Sequence, residues 1–409
     1  MKVTYVVSMF PCWSETFILN ELVNHEKAGV DLSIFSIKNC SETMVHDEAV
    51  PFINKTVYGK GYFGFKLLLS HLILLCTSPS IYASIVSKLL FLKVTDPLVK
   101  IKSLAVFWLS PTFVVAARQQ KTDHLHAHFA TYPALLAWII SRFTKIPFTF
   151  TAHAHDIYVN QDLLPIVCED AAAIVTISEF NKRFIAQKVG TKYEQKTEVI
   201  HCGIDLNRFK FEVDNGKAGR EAAPLNILSI GRLSGIKGFT YLIEALRLLK
   251  NESVAFDCSI IGDGPLKVEL VQQVKDAGLD SVVHFLGSKK ADEIPVYLKK
   301  ADVFVLACAT DKIEGHDGIP VVFMEAMAYG TPVIGTVISG IPELIIDGTT
   351  GFCAEPENAR SLADTISRFI QCSDVQKLVA NARELIEVEY NITRNSGRLR
   401  TLFQKVEGV

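Results

Sequence analysis

Three observations predict that this chain of 409 residues folds as two α/β domains in tandem, each built on a parallel sheet. Apolar runs of strand length alternate with helical periodicity almost from end to end, the pattern of a sheet covered on both faces. A break at 211–224, rich in Gly, Ala and charged residues and poor in large apolar ones, divides the alternation into two series. With 49% hydrophobic and 21% charged residues, the chain has enough apolar surface for more than one core.

The first series opens with a strand at 3–7 and a helix at 15–28, which Gly29 stops because glycine accepts the left-handed conformation after a helix end. A strand follows at 32–37, then long apolar stretches between 62 and 118 that read as helices. Strands at 125–129 and 147–151 flank a helix starting near Pro133, a residue suited to a first helical turn. A strand at 173–177 and a helix at 179–189, ended by Gly190, complete the series. After the break come strands at 226–230, 256–261, 282–285 and 303–307, with helices at 239–249, 266–277, 292–299 and 320–329. The expected division is a first domain at 1–210, a linker at 211–224, a second domain at 225–388, and a C-terminal helix at 389–409 that packs back on the first domain. Ligands of open α/β sheets bind at the carboxyl ends of the strands, so a cleft between two such sheet ends is the expected site.

Composition excludes some functions. A net charge of -2 argues against a nucleic-acid binder, which presents a basic surface. The N-terminus reads as a short strand, not a leader. The apolar stretch 62–76 contains Lys66 and His71 and is shorter than the ~18–20 residues a membrane span needs, so no spanning helix is expected. The nine cysteines are scattered without a CxxC pair, as in a cytosolic protein with reduced thiols.

Three motifs carry chemistry. In Ile230-Gly231-Arg232-Leu233-Ser234-Gly235-Ile236-Lys237-Gly238, Gly231 permits a tight turn after a strand, and Arg232 and Lys237 set two cations beside a helix start. A diphosphate fits that charge, with Arg binding two oxygens and Lys acting as a point charge; a basic turn in solvent reads the same. Ile260-Ile261-Gly262-Asp263-Gly264-Pro265 ends another strand, where a turn that merely suits Gly and Pro accounts for it equally well. The third motif runs from Asp317-Gly318-Ile319-Pro320-Val321 through Glu325 to Gly330-Thr331-Pro332. It places Glu325 about two turns into a helix among Met324, Ala326 and Met327. A carboxylate there is costly unless it accepts hydrogen bonds, which vicinal sugar hydroxyls would supply.

In this order the three motifs resemble those of the retaining GT-B-fold glycosyltransferases of family 4 (glycosyltransferase group 1). The match runs through nearly the whole chain. It implies a GT-B fold, with two Rossmann-like domains whose parallel sheets face across a cleft, the first binding acceptor and the second the nucleotide sugar. It implies transfer, with retention, from a UDP- or GDP-linked sugar to a glycan or lipid-linked acceptor. Arg232 and Lys237 would hold the donor diphosphate, Glu325 the ribose hydroxyls, and Asp317, where the family usually has Glu, the donor sugar. Gly231, Gly262, Gly264, Gly318, Ile319, Pro320 and Val321 would line the donor, and Leu286 would lie by the base. His153 in Phe150-Thr151-Ala152-His153-Ala154-His155-Asp156 matches the histidine beside the transferred sugar, with His155 and Asp156 on the acceptor side. The loop Ser14-Glu15-Thr16-Phe17 replaces the glycine-rich loop of many members and resembles the subset linked to exopolysaccharide and colanic-acid-type assembly, which places Ser14, Glu15 and Thr16 on the acceptor side as well. A plain helix N-cap explains Ser14 equally. The resemblance further implies a cytoplasmic enzyme of surface polysaccharide assembly that needs no metal and no cofactor beyond its substrate.

Two other patterns leave alternatives open. His124, His126 and His128 share one face of a strand, and His153 and His155 would do so on another. Five imidazoles could hold a metal for hydrolysis, or they could be hydrogen-bonded residues of a strand end. A sugar-nucleotide epimerase or binder could use the same fold. The lysines interspersed among apolar clusters at 60–100 suit either core-facing helices or contact with a membrane surface.

Overall fold

The computed structural model describes residues 1–13, 15–40, 45–59, 64–211, 224–311 and 314–407. It divides into two compact units: Met1–Ile200 with Asn395–Val409, and His201–Arg394.

Unit 1 holds a sheet of β1 (Lys2–Met9), β2 (Asp31–Lys38), β3 (Thr56–Tyr58), β4 (His124–His128), β5 (Phe148–Ala152), β6 (Ala173–Thr176) and β7 (Thr197–Val199). Their order is β3-β2-β1-β4-β5-β6-β7, and every pairing is parallel. Unit 2 holds β8 (Leu225–Ile230), β9 (Phe256–Ile261), β10 (Val283–Phe285), β11 (Val303–Val305), β12 (Val333–Thr336) and β13 (Phe352–Ala354), ordered β10-β9-β8-β11-β12-β13 and likewise parallel. In both sheets the winding reverses beside the first strand, between β1 and β4 and between β8 and β11. In an open α/β sheet the loops leaving the strands there diverge and leave room for a ligand.

The strand sequences explain the burial. Strands covered on both faces lose the polar alternation of half-exposed ones, and β4 and β5 are buried at every position. Two short strands, β3 and β7, and the strands after residue 330 fall outside the sequence expectation, which followed longer apolar runs.

The helix Pro97–Gln120 corrects the expectation that no segment is long and apolar enough to span a membrane. Its 24 residues have a mean hydropathy of 1.5 over an 18-residue window, half of which is buried. Val106, Phe107, Leu109, Phe113 and Val114 enter the core of unit 1 beside Trp138 and Phe35. Length and composition alone do not separate such a core helix from a span.

The boundary between units also differs from the expected one. Segment 201–210 joins unit 2, not the first domain. Ile204 bridges to Asn391 in parallel, its amide donating to Tyr390 O at 2.9 Å and its carbonyl accepting from Ile392 N at 3.1 Å, and Phe209 packs edge-on against Tyr329. Most of the expected linker at 211–224 lies outside the described residues. The final helix, Ile392–Glu407, belongs to unit 1 from Asn395 onward, where Leu399, Leu402 and Phe403 are buried with residues of β1 and β2.

Candidate functional site

In unit 2 the loops leaving β8, β9 and β11 converge beside the point where the winding reverses. The Gly231 amide bonds Ile261 O at 3.0 Å, Leu233 N bonds Asp263 O at 3.0 Å, and Leu266 N bonds Leu233 O at 3.0 Å. From the other side, Ala309 N bonds Ile236 O at 3.0 Å. Gly238 sits at φ 63°, and a Cβ there would lie 1.7 Å from Ala307 O. A side chain cannot be accommodated at such a distance, so the Lys237-Gly238 turn can lie against β11 only with glycine.

This packing gathers charge. Lys237 Nζ lies 2.8 Å from Asp317 Oδ2, both side chains being largely buried. Burial alone would depress the lysine, but the Asp317 carboxylate, with Cys308 and Glu314, raises it above its ordinary value, so the ammonium stays charged. Arg232 Nη1 lies 3.5 Å from Glu314 Oε1 with its side chain 66% exposed. An exposed pair contributes little to stability, so the guanidinium can turn to an incoming anion at small cost. Asp311 and Gly315 pair through backbone bonds at 2.7 and 2.9 Å, and Glu314 N bonds Asp311 Oδ1 at 2.8 Å, which presents Glu314 to Arg232.

Helix Val321–Tyr329 carries the second feature. Phe323, Met324, Ala326, Met327 and Ala328 are buried, at about 1.5–3 kcal/mol for each large apolar side chain. Gly330, at φ 87°, ends the helix, and Arg383 Nη1 donates to Ala328 O at 2.7 Å. Glu325 stands about one turn in from Val321, not the two turns expected, because the helix begins after Pro320. Burial pushes its carboxyl up to about 7, with Arg208 pulling the other way. Among the described residues the Glu325 carboxylate has no hydrogen-bond partner. Arg208 is the group that sequence reasoning missed: it lies far away in the chain, in a segment with no motif.

The remaining expected donor residues are placed as follows. Gly262 and Gly264 hold loop against loop, since a Cβ on either would meet Gly231 O at 1.9 Å or Leu233 O at 2.5 Å. Leu286 N bonds Ile260 O at 2.9 Å at the end of β10. Gly318, Ile319 and Pro320 are buried and Val321 half-buried at the start of the Glu325 helix.

In unit 1, His153 follows β5 and is 7% exposed, its ring between Phe17 and Phe129 at 4.6 and 4.9 Å. Asp156 is 3% exposed, and its carboxylate accepts from the amides of Ala130 (2.7 Å), His153 (3.0 Å) and Ala154 (2.9 Å). It therefore fixes the loop that carries His153. His155 does not share a strand face with His153. The strand ends at Ala152, and His155 begins the short helix His155–Tyr158 with its side chain exposed. Glu15 is the N-cap of helix Thr16–Lys27, and Thr16 its first residue, both half-buried. Ser14 lies outside the described residues.

The five histidines do not form one cluster. His124 and His126 share Thr149 Oγ1, each at 2.8 Å, and the other nitrogen of His126 meets Thr151 Oγ1 at 3.0 Å. The donor atoms of Glu21, His126 and His128 lie within 4.8 Å of one another. With both nitrogens of His126 held by hydroxyls, hydrogen bonding accounts for this group, and metal-assisted hydrolysis is not the favoured reading.

Two doubly wound units on parallel sheets define a GT-B protein, whose second unit carries a lysine–aspartate pair and a half-buried helix carboxyl beside the winding reversal. The description "Glycosyl transferases group 1" matches residues 211–385 and "Glycosyltransferase Family 4" matches residues 85–208. The chain thus carries the domains of both descriptions and is a glycosyltransferase by family. It is 37% identical over 220 residues to the putative colanic acid biosynthesis glycosyltransferase WcaL of Escherichia coli (strain K12), covering 53% of each chain. It is 38% identical over 200 residues to the amylovoran biosynthesis glycosyltransferase AmsK of Erwinia amylovora, covering 48% of each. The chain thus spans about half the length of the curated relatives it matches. The crystal structure of Anabaena Alr3699/HepE in complex with UDP shares the fold over 99% of this chain and 100% of that one, with a TM-score of 0.72 and 19% identity.

Proposed function

We propose that this protein is a retaining glycosyltransferase that moves a sugar from a UDP- or GDP-linked donor to a glycan or lipid-linked acceptor in surface polysaccharide assembly. The observation that carries the reading is that unit 2 holds both a charged Lys237 and a half-buried Glu325 whose carboxyl burial pushes up. A nucleotide sugar offers phosphate oxygens to Arg232 and Lys237 and vicinal hydroxyls to the Glu325 carboxyl. Arg232 and Lys237 stabilise the charge that grows on the departing diphosphate, a preorganised electrostatic effect. Asp317, already on Lys237, holds the lysine in place and reaches donor sugar hydroxyls.

No side-chain nucleophile is needed if the donor phosphate takes the acceptor's proton, which accords with retention. His153 contacts the transferred sugar, while Ser14, Glu15, Thr16, His155 and Asp156 serve the acceptor side, Asp156 by shaping the loop. The names of the WcaL and AmsK relatives, both of polysaccharide biosynthesis, support the acceptor class. The proposed location is cytoplasmic, with no metal required. Contact with a membrane surface is supported by Phe65, Leu68, Leu72 and Phe91, all exposed, in a stretch with no Asp or Glu between Glu48 and Asp96.

The test is sugar transfer from UDP-, GDP- and ADP-sugars, with and without a chelator, by the wild type and by Lys237→Ala. Expected is chelator-resistant turnover with one base, reduced by about 10²–10³-fold in the variant, the scale for loss of one preorganised donor group. Unchanged turnover in a folded Lys237→Ala protein contradicts the mechanism.

A further inference from the structure

His153 is held at both of its peptide groups by buried side chains from two different elements. Its amide donates to Asp156 Oδ1 at 3.0 Å. Its carbonyl accepts from Asn181 Nδ2, and Asn181 Oδ1 in turn accepts the Tyr158 hydroxyl. A carbonyl can only accept, so the amide nitrogen of Asn181 must face His153 and its oxygen must face Tyr158. Asn181 lies in helix Glu179–Val189 and is 0% exposed. A buried amide is costly unless its polar atoms are bonded, and here both ends are. The Ser178 hydroxyl caps the helix by accepting the Asn181 backbone amide at 3.1 Å, which sets the residue in place.

The loop after β4 is strained toward the same histidine. Phe129 has φ 76°, a conformation that a bulky residue adopts only where its surroundings impose it. Two bonds do so: the Phe129 amide donates to Thr151 O at 2.9 Å, and the next amide, that of Ala130, donates to Asp156 Oδ2 at 2.7 Å. The phenyl ring is thereby brought 4.9 Å from the His153 ring, with Phe17 at 4.6 Å.

We propose that Asn181 is a positioning residue for His153: it holds the carbonyl while Asp156 holds the amide, so neither flanking peptide can turn and the imidazole stays between Phe17 and Phe129. That the fixed ring meets a sugar rests on the glycosyltransferase reading; the fixing itself does not. No motif marks Asn181, which lies on another element and reaches His153 only in the fold.

Proton spectra of the full chain labelled at histidine test the placement without any activity. Two aromatic rings this close displace the His153 ring-proton signals from those of free histidine. Asn181→Leu should move them toward the free value. In transfer assays Asn181→Leu should lower kcat by about 10–100-fold, the scale of misplacing a reacting group by about 1 Å. The donor KM should hold, since the donor groups lie in unit 2. Asn181→Asp separates positioning from packing. Its carboxylate has no proton to give the His153 carbonyl, whereas the protonated carboxyl does. Its activity relative to wild type should therefore rise as pH falls, and that of Asn181→Leu should not. Tyr158, His153 and Asp156, the titratable groups bonded to this network, are present in all three proteins, so the ratio removes their own titration. Tyr158→Phe leaves Asn181 in place and should move the His153 signals by less. Asn181 variants with wild-type His153 signals and kcat overturn the proposal, even if their melting temperatures fall. So does an Asn181→Asp to wild-type ratio that is flat with pH. If neither Asn181 variant folds, unmoved His153 signals in Tyr158→Phe overturn it. If the wild type transfers no sugar, the glycosyltransferase reading fails alone, and the spectra still decide this proposal.

Discussion

Glu325 is held in an environment that opposes its own ionisation. Its carboxyl titrates near 7 in the fold against an ordinary 4.5. Between those values the unfolded chain releases a proton that the folded one keeps, so stability falls as pH rises from about 4.5 to 7 and stays low above. At about 1.4 kcal/mol per pH unit the loss is at most roughly 3 kcal/mol. Glu325→Gln is therefore expected to melt higher than the wild type at pH 8, by a few degrees, and no higher at pH 4.5, while losing donor affinity. Differential scanning calorimetry at the two pH values reads the first effect; an equal shift at both would mean that charge is not the cause. The motif exposed Glu325, Lys237 and Asp317 to sequence reading, because chemistry and local spacing travel together. It could not expose Arg208, Glu21 or Asn181, whose partners are distant in the chain and adjacent only once the sheets form.

Among elements, the three loops of unit 2 act as one because glycines let them touch. A Cβ on Gly264 would stand 2.5 Å from Leu233 O and 2.7 Å from Leu233 N, both rigid backbone. Gly264→Ala should thus displace the Arg232 loop, destabilise unit 2 by about 1–3 kcal/mol, the usual scale of overpacking, and raise the donor KM. Thermal unfolding with steady-state kinetics checks this; wild-type values for both would show that the turn is incidental. The alternation of strand and helix made the long strands and the order of the two series legible. The short strands β3 and β7 were not, since three residues carry too little periodicity. The expectation that His153 and His155 share a strand face ran past the end of β5 at Ala152, where the amides of His153 and Ala154 turn to Asp156.

At the level of the molecule, contacts divide the chain at Ile200 and Asn395, whereas composition marks the break at 211–224. The charged break at 211–224 is conspicuous, whereas segment 201–210 is tied to unit 2 by backbone pairing with Asn391, which leaves no compositional trace. Unit 1 also bears an apolar face that its core does not use. Phe65 and Phe91 are each 81% exposed, with Leu68, Leu69, Leu72 and Ile73 near half. Neighbouring Lys66, Lys93, Lys100 and Lys102 suit anionic headgroups, at about 1 kcal/mol per cation near the surface. Flotation with vesicles containing anionic lipid should carry the wild type upward and leave a Phe65→Ser/Phe91→Ser protein below. A wild type that stays below with both anionic and neutral vesicles would count against the contact.

Whether Lys237 and Glu325 grip the diphosphate and the ribose of one nucleotide is read by calorimetric titration of UDP and GDP into the wild type, Lys237→Ala and Glu325→Ala. Expected is saturable binding of one nucleotide by the wild type, weakened at least about tenfold in each variant, or about 1.4 kcal/mol. Equal affinity in all three proteins, or no binding of either nucleotide by the wild type, would contradict it.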